Sequence, residues 1–112
     1  MNGDKVIVGT GYFWKESDGE KVMAYMPRLD ENKQWILTPD NNSVVVQSVG
    51  GVIAGSVGEV QGNIIKVQRG YFSNLQKGFG AATDFVELVP VYLEKYQRLG
   101  YFLVDNVRIL GG

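Results

Sequence analysis

The chain has 112 residues, of which 45% are hydrophobic, a formal net charge of −1, and neither histidine nor cysteine. This size and apolar content suffice for one core, so we predict a single domain over residues 1–112. Without cysteine there is no disulfide, thiolate zinc site or thiol nucleophile, and without histidine the commonest proton-transfer group near neutral pH is missing. These absences favour a non-enzymatic protein with no cofactor and no metal site.

The composition indicates short strands joined by tight turns, because fifteen glycines accompany many aromatic and β-branched residues. Residues 5–14 predict a first strand, in which Gly9 and Gly11 mark a bulge or a close backbone approach. Asp18-Gly19 is a dipeptide favoured in two-residue hairpin loops, so it predicts a turn into a second strand. In that strand Val22, Ala24 and Met26 alternate with Met23 and Tyr25, which predicts two different faces. Since proline cannot donate to a ladder, that strand either ends at Pro27 or lies at a sheet edge.

The middle of the chain predicts further strands. Residues 30–33 read as a turn, and the apolar runs at 34–38 and 43–49 predict two strands that meet across a polar turn at 39–43. Gln61-Gly62-Asn63 predicts a turn between two more strands.

The last third predicts a helix from about 90 to 99. Four apolar residues there fall at helical spacing, while Pro90 suits a first turn and Gly100 the position just past a helix end. The four residues are Leu88, Tyr92, Tyr96 and Leu99. Residues 101–110 then predict a closing strand.

The predicted fold is α+β and mainly β: a curved antiparallel sheet or a partly closed small barrel, with one C-terminal helix and a closing strand. Residues 3–8, GDKVIV, and 51–67, GVIAGSVGEVQGNIIKV, resemble strand and turn elements of SH3-like small barrels, including the KOW type. The resemblance implies a barrel architecture. Members of that group bind nucleic acid, ribosomes or other proteins, but one fold hosts many functions, so the resemblance indicates an architecture far more than an activity.

One stretch combines basic and aromatic residues. No acid lies between Glu59 and Asp84. Such a pattern suits a core beneath a loop, a protein interface, or a surface on which single-stranded bases stack. Tyr12, Phe13 and Trp14 are consecutive and cannot share one face of a strand, so Phe13 or Trp14 is expected to meet solvent or a partner. The candidate binding residues are therefore Lys66, Arg69, Tyr71, Phe72, Lys77, Phe79, Phe13 and Trp14.

Motifs for catalysis or phosphate binding are not evident. Most of the twelve carboxylates lie beside turn residues, where they remain ordinary ionised surface groups. The glycine-rich residues 51–60 lack the Gly-Lys-Ser/Thr ending of a phosphate-binding loop, so turn glycines are the better interpretation.

These patterns predict a binding protein that recognises another protein or associates with itself. The alternative is a single-stranded nucleic-acid-binding module that uses residues 66–79, and a third hypothesis is an enzyme based on carboxylates or a small-ligand pocket. The chain begins without a basic and apolar leader, and no apolar run approaches the roughly 20 residues that span a bilayer. We therefore expect a soluble, cytoplasmic protein without a membrane partner.

Overall fold

The computed structural model describes residues 1–10, 14–15, 17–39, 43–68 and 85–111, without the side chains of Ser17 and Asp18. These residues are mainly β and form an open antiparallel sheet of eight strands. The strands are β1 (Lys5–Val8), β2 (Ser17–Pro27), β3 (Val46–Ala54), β4 (Ser56–Val60), β5 (Ile65–Gln68), β6 (Phe85–Leu93), β7 (Arg98–Leu103) and β8 (Val107–Ile109). The prediction of a mainly β, antiparallel fold is confirmed.

The sheet follows the order β3-β2-β7-β6-β4-β1-β8, and β5 also pairs with β6. Among the described residues β3 and β8 do not pair with each other, so the sheet is open. Of the two predicted architectures, this agrees with an antiparallel sheet and not with a partly closed small barrel. The chain passes from β3 to β4 through Gly55 alone, which has a φ of +89° and donates its N–H to the Val8 carbonyl at 2.7 Å. A positive φ is readily adopted only by glycine, which explains the residue at this sharp turn.

Strand β6 is the centre of the sheet. One side of β6 pairs with β7 from Leu88 to Leu93, while the other side pairs first with β5 and then with β4. Pro90 lies between these two partners, and its carbonyl accepts a hydrogen bond from Gln61 N at 3.0 Å. The N–H and C=O of a strand residue face the same side, so the nitrogen of Pro90 faces the connection between β4 and β5 instead of a ladder. A proline is therefore tolerated inside this strand.

The helix predicted for residues 90–99 is wrong. Those residues form the end of β6, a turn at 94–97 and the start of β7, and the described residues contain no helix of seven or more residues. Leu88 and Val89 are both fully buried although they face opposite sides of the sheet. A strand buried on both faces loses the apolar and polar alternation that identifies strands, so its sequence resembles a helix.

The closing strand predicted for residues 101–110 is interrupted. A short 3-10 turn at Val104–Asn106 separates β7 from β8, and β8 pairs with β1 instead of continuing along β6.

The hairpin turn predicted at Asp18-Gly19 is also wrong, because both residues lie inside β2. Ser17 pairs with Ala54, whereas Lys21 pairs with the adjacent Ile53, so β2 carries extra residues at an irregularity in the ladder. A bulge uses the same small and flexible residues as a turn.

Several boundaries predicted from the sequence are confirmed. Strand β2 ends at Pro27, and Gln61, Gly62 and Asn63 lie in the connection between β4 and β5. The first strand is shorter than predicted, since β1 ends at Val8. Residues 11–13 lie outside the described residues.

Two apolar clusters occupy the two faces of the sheet. Residues 22–25 of β2 alternate between them, as the sequence predicted: Val22 and Ala24 join the first cluster, whereas Tyr25 joins the second and Met23 packs against it. Met26 was predicted to share the face of Val22 and Ala24, but it packs against the second cluster, beyond an irregularity of the ladder between Met23 and Tyr25. The first cluster also contains Val6, Val8, Val52, Ala54, Val60, Val89, Val91, Leu93 and Phe102. The second contains Val44, Val46, Ile65, Val67, Leu88 and Tyr101.

A tyrosine joins the β6–β7 turn to β3. The Tyr96 hydroxyl accepts a hydrogen bond from Ile53 N at 2.9 Å, and the Ser56 hydroxyl donates to the Ile53 carbonyl at 2.6 Å. Tyr96 and Ile53 are 43 residues apart in sequence, so this contact forms only when both parts of the sheet are in place.

Alkaline pH is expected to destabilise the second cluster. Burial raises the pKa of Tyr25 and of Tyr101 above the ordinary value of 10.0. The unfolded chain therefore releases these protons first, so the free energy of unfolding falls as pH rises past 10.0 and stops falling above the folded pKa values. Urea denaturation between about pH 9 and about pH 11 measures this loss. A Tyr25→Phe, Tyr101→Phe double variant should lose less, and an equal loss in that variant would contradict the assignment.

Candidate binding surface

An irregular segment, which we call the arm, connects β2 to β3. We define the arm as residues 28–45, of which 40–42 lie outside the described residues. Backbone hydrogen bonds join three parts of the arm to one another. Arg28 N donates to Val45 O, Val45 N to Ile36 O, and Ile36 N to Arg28 O, each at 2.9 Å. Val44 N also donates to the Lys66 carbonyl of β5 at 3.3 Å, so the arm is attached at several points.

The strands predicted at 34–38 and 43–49 are realised only in part. Residues 35 and 37 form isolated bridges, Leu29 with Trp35 and Leu37 with Val44, and regular pairing begins at Val46. Thr38 N donates to Ser43 O at 3.0 Å, which brings the two segments together as predicted.

The tip of the arm is a tight turn, as the sequence predicted for residues 30–33. The Asp30 side chain accepts hydrogen bonds from Asn32 N at 2.8 Å and from Gln34 N at 3.0 Å. Lys33 N donates to Asp30 O at 3.0 Å, and Lys33 itself has a left-handed φ of 63°. Aspartate often orders turns in this way, because its side chain replaces missing backbone partners.

Three large apolar side chains are exposed on this ordered arm, and we call them the arm patch: Leu29, Trp35 and Leu37. Their exposed fractions are 54%, 46% and 46%. Leu29 and Trp35 are bridge partners, and Leu37 lies two residues beyond Trp35, so the three side chains lie on one side of the arm. Val44, the bridge partner of Leu37, lies on the same side but is buried in the second cluster, so the patch borders that cluster. The Trp35 ring meets Tyr101 edge to face, with ring centroids 6.5 Å apart. The patch is therefore anchored to β7 while much of its surface faces solvent.

A groove of about 430 Å³ opens beside Trp35. Trp35 and Leu37 give it apolar walls, and Lys33 and Gln34 add a cation and an amide. The groove combines an aromatic surface with polar groups at one place, which is typical of a site for a side chain of a partner.

The structure places Lys66 on β5, between the buried Ile65 and Val67. Its Nζ lies 5.6 Å from the centroid of the Phe85 ring, and its register partner on β6 is Glu87. An acid directly across the ladder lowers the positive potential at Lys66. The other members of the predicted basic and aromatic stretch, Arg69, Tyr71, Phe72, Lys77 and Phe79, lie outside the described residues.

Trp14 is half-buried, and the guanidinium carbon of Arg108 lies 4.1 Å from the centroid of its ring. A cation this close to an indole face is a favourable cation–π contact. One face of Trp14 is thus covered by the chain itself, and Phe13 lies outside the described residues. The prediction that either residue contacts a partner stays a prediction.

The remaining charged groups are dispersed. Lys5 forms an ion pair with Glu94, whose carboxylate raises the pKa of the lysine above 10.5.

Within the described ranges no group of three or more acidic, histidine or cysteine residues could hold a metal ion. The same part of the chain has no helix long and apolar enough to cross a membrane.

Comparison with known protein families, curated proteins and solved structures finds no match to this chain. The assignment of the arm patch as a candidate binding surface therefore rests on the geometry of the patch alone.

The arm patch was missed by the sequence prediction, which treated residues 34–38 only as a strand. The available signal was a tryptophan and a leucine two residues apart in a segment with a predicted turn on each side. So short a segment between two turns covers little of the core, so two large apolar side chains on one face of it are expected to stay partly exposed.

Proposed function

We propose that this protein is a non-enzymatic binding protein and that it contacts a partner protein through the arm patch. The observation that carries the proposal is the exposure of Leu29, Trp35 and Leu37 on one face of the arm. Large apolar side chains exposed together cost free energy in water, and contiguous patches of this kind mark interaction sites. Tryptophan in particular is enriched among the residues that contribute most to binding.

Contacts made by the described part of the arm support the same proposal. The Asp30 side chain accepts two backbone hydrogen bonds at the tip, and the Trp35 ring packs edge to face with Tyr101. A surface that is already ordered loses less conformational entropy when a partner binds.

The patch is small, since three half-exposed side chains offer roughly 300 Å² of apolar surface. A stable interface buries about 800 Å² on each partner. The patch therefore acts as the centre of a larger contact with a second protein, with polar residues of the arm around it. The alternative occupant of the patch is a second copy of this chain, and the size of the complex distinguishes a copy from a different protein.

A photo-reactive residue at position 37 tests this function in the cells that make the protein. We expect p-benzoylphenylalanine at Leu37 to cross-link one defined partner, whereas the same residue at Ile64, another exposed apolar position, should not. The partner is then purified, and Trp35→Ala should weaken its binding by about 30-fold, as loss of a central anchor does.

Three controls complete the test. Trp35→Ala must keep its circular dichroism spectrum, and ultracentrifugation with and without partner shows whether the second protein is a copy of this chain. Equal cross-linking from position 64, or unchanged affinity of the folded Trp35→Ala variant, would contradict the proposal.

The nucleic-acid function predicted for residues 66–79 remains a prediction. Of its basic residues only Lys66 is described, and Lys66 lies opposite Glu87.

A further inference from the structure

We infer that the segment of the partner that enters the groove beside Trp35 is acidic, with an aspartate or glutamate next to an apolar side chain. This inference rests on the proposed function, since it names the chemistry that the arm patch recognises. The groove carries two kinds of recognition surface at once: apolar walls from Trp35 and Leu37, and a cation from Lys33.

Lys33 is the charge available to a ligand in this groove. It is exposed, and none of the described residues forms an ion pair with it. Two acids, Asp30 and Glu31, belong to the same turn, and neither of them lines the groove. Asp30 Oδ1 already accepts two backbone hydrogen bonds. A carboxylate brought by a partner would therefore meet the ammonium of Lys33.

The same geometry disfavours a basic segment. An exposed tryptophan attracts cations to its face, so Trp35 alone could receive a lysine or arginine. Lys33 lines the groove together with Trp35, and a second cation placed there would be repelled by it. The lysine thus converts a general aromatic site into one that selects against positive charge.

Gln34 adds a neutral hydrogen-bonding group to the groove. Its side-chain amide has both a donor and an acceptor and can bind the peptide backbone beside the carboxylate. The groove therefore fits an extended segment in which an apolar side chain contacts Trp35 and a neighbouring acid contacts Lys33.

Three capped peptides test the inference on the full chain: Ac-Glu-Leu-Phe-Glu-NH2, its Gln analogue and its Lys analogue. Binding is followed by NMR through the Trp35 indole N–H and the backbone amides of Lys33 and Gln34. We expect the acidic peptide to bind up to about fivefold more tightly than the neutral one, the upper end of what one exposed ion pair gives, and the basic peptide to bind most weakly. The preference should shrink as salt is added.

Matched variants assign the effect to Lys33. Lys33→Gln should reduce the affinity for the acidic peptide to that for the neutral peptide, and Lys33→Glu should reverse the preference toward the basic peptide. Lys21→Gln removes an exposed lysine that does not line the groove and should change nothing.

The outcomes separate this inference from the proposed function. Equal affinities for the three peptides, or tightest binding of the basic one, would overturn the acidic preference while cross-linking from position 37 still supports the patch. An acidic preference that survives Lys33→Gln would also overturn it, as would the absence of any shift at Trp35. Loss of site-specific cross-linking overturns the proposed function itself.

Discussion

Gly58→Ala is expected to lower the free energy of unfolding by about 3 kcal/mol or more, because β4 has no space for a side chain at this position. A Cβ at Gly58 would lie 2.4 Å from the Tyr92 carbonyl oxygen and 2.6 Å from Val91 Cγ1. The first obstacle is the backbone of β6, so no change of rotamer can relieve it. Val91 is fully buried in the first cluster and cannot move without disturbing its neighbours.

Urea denaturation measures this loss, and Gly19→Ala is its matched control. Gly19 also lies in a strand, but a Cβ added there would meet no atom of the described residues within 4 Å. We expect Gly19→Ala to leave the midpoint nearly unchanged. If Gly58→Ala is as stable as the natural chain, the close approach of β4 and β6 is not correct.

Phe102→Ala should cost about 3–5 kcal/mol, the range for removing a buried aromatic ring from a core. Phe102 is fully buried and belongs to the first cluster, which gathers residues from β1, β2, β3, β4, β6 and β7. The cavity left by the ring would remove contacts to several strands at once. The loss of unfolding free energy therefore destabilises the whole sheet and not a single hairpin.

Thermal and urea unfolding of the Phe102→Ala variant test this expectation. Ile109→Ala, which truncates an apolar residue that is 53% exposed on β8, should change stability much less. A similar cost for both variants would mean that the first cluster does not dominate the stability of the sheet.

The sequence predicts the kind of fold well and its connections less well. Alternation in Val22, Ala24 and Tyr25 correctly predicts a strand with two different faces, and the end of β2 at Pro27 follows from the missing N–H of proline. These predictions succeed because they depend on local geometry. No tertiary contact is needed to make them.

The errors arise where tertiary contacts override local preference. Pro90 suits a helix start, yet its place between the partners of β6 is known only when β4 and β5 are paired. Asp18-Gly19 suits a turn and also a bulge, and the register of β3 decides between them. The arm patch was missed for a related reason: whether the side chains of residues 34–38 enter the core depends on the completed sheet, in which nearly half of the Trp35 side chain stays exposed.

The two hydrogen bonds at Ile53 have a consequence for aggregation. Ile53 lies on β3, the strand at one end of the sheet order. The unpaired side of such an edge strand is a template to which the backbone of another chain can add. At Ile53 the N–H is already bound to Tyr96 and the C=O to Ser56, so an intruding strand would have to displace both side chains there. Fibril growth through this point is thereby discouraged, and the protein can display an apolar arm without offering this part of its backbone to neighbouring molecules.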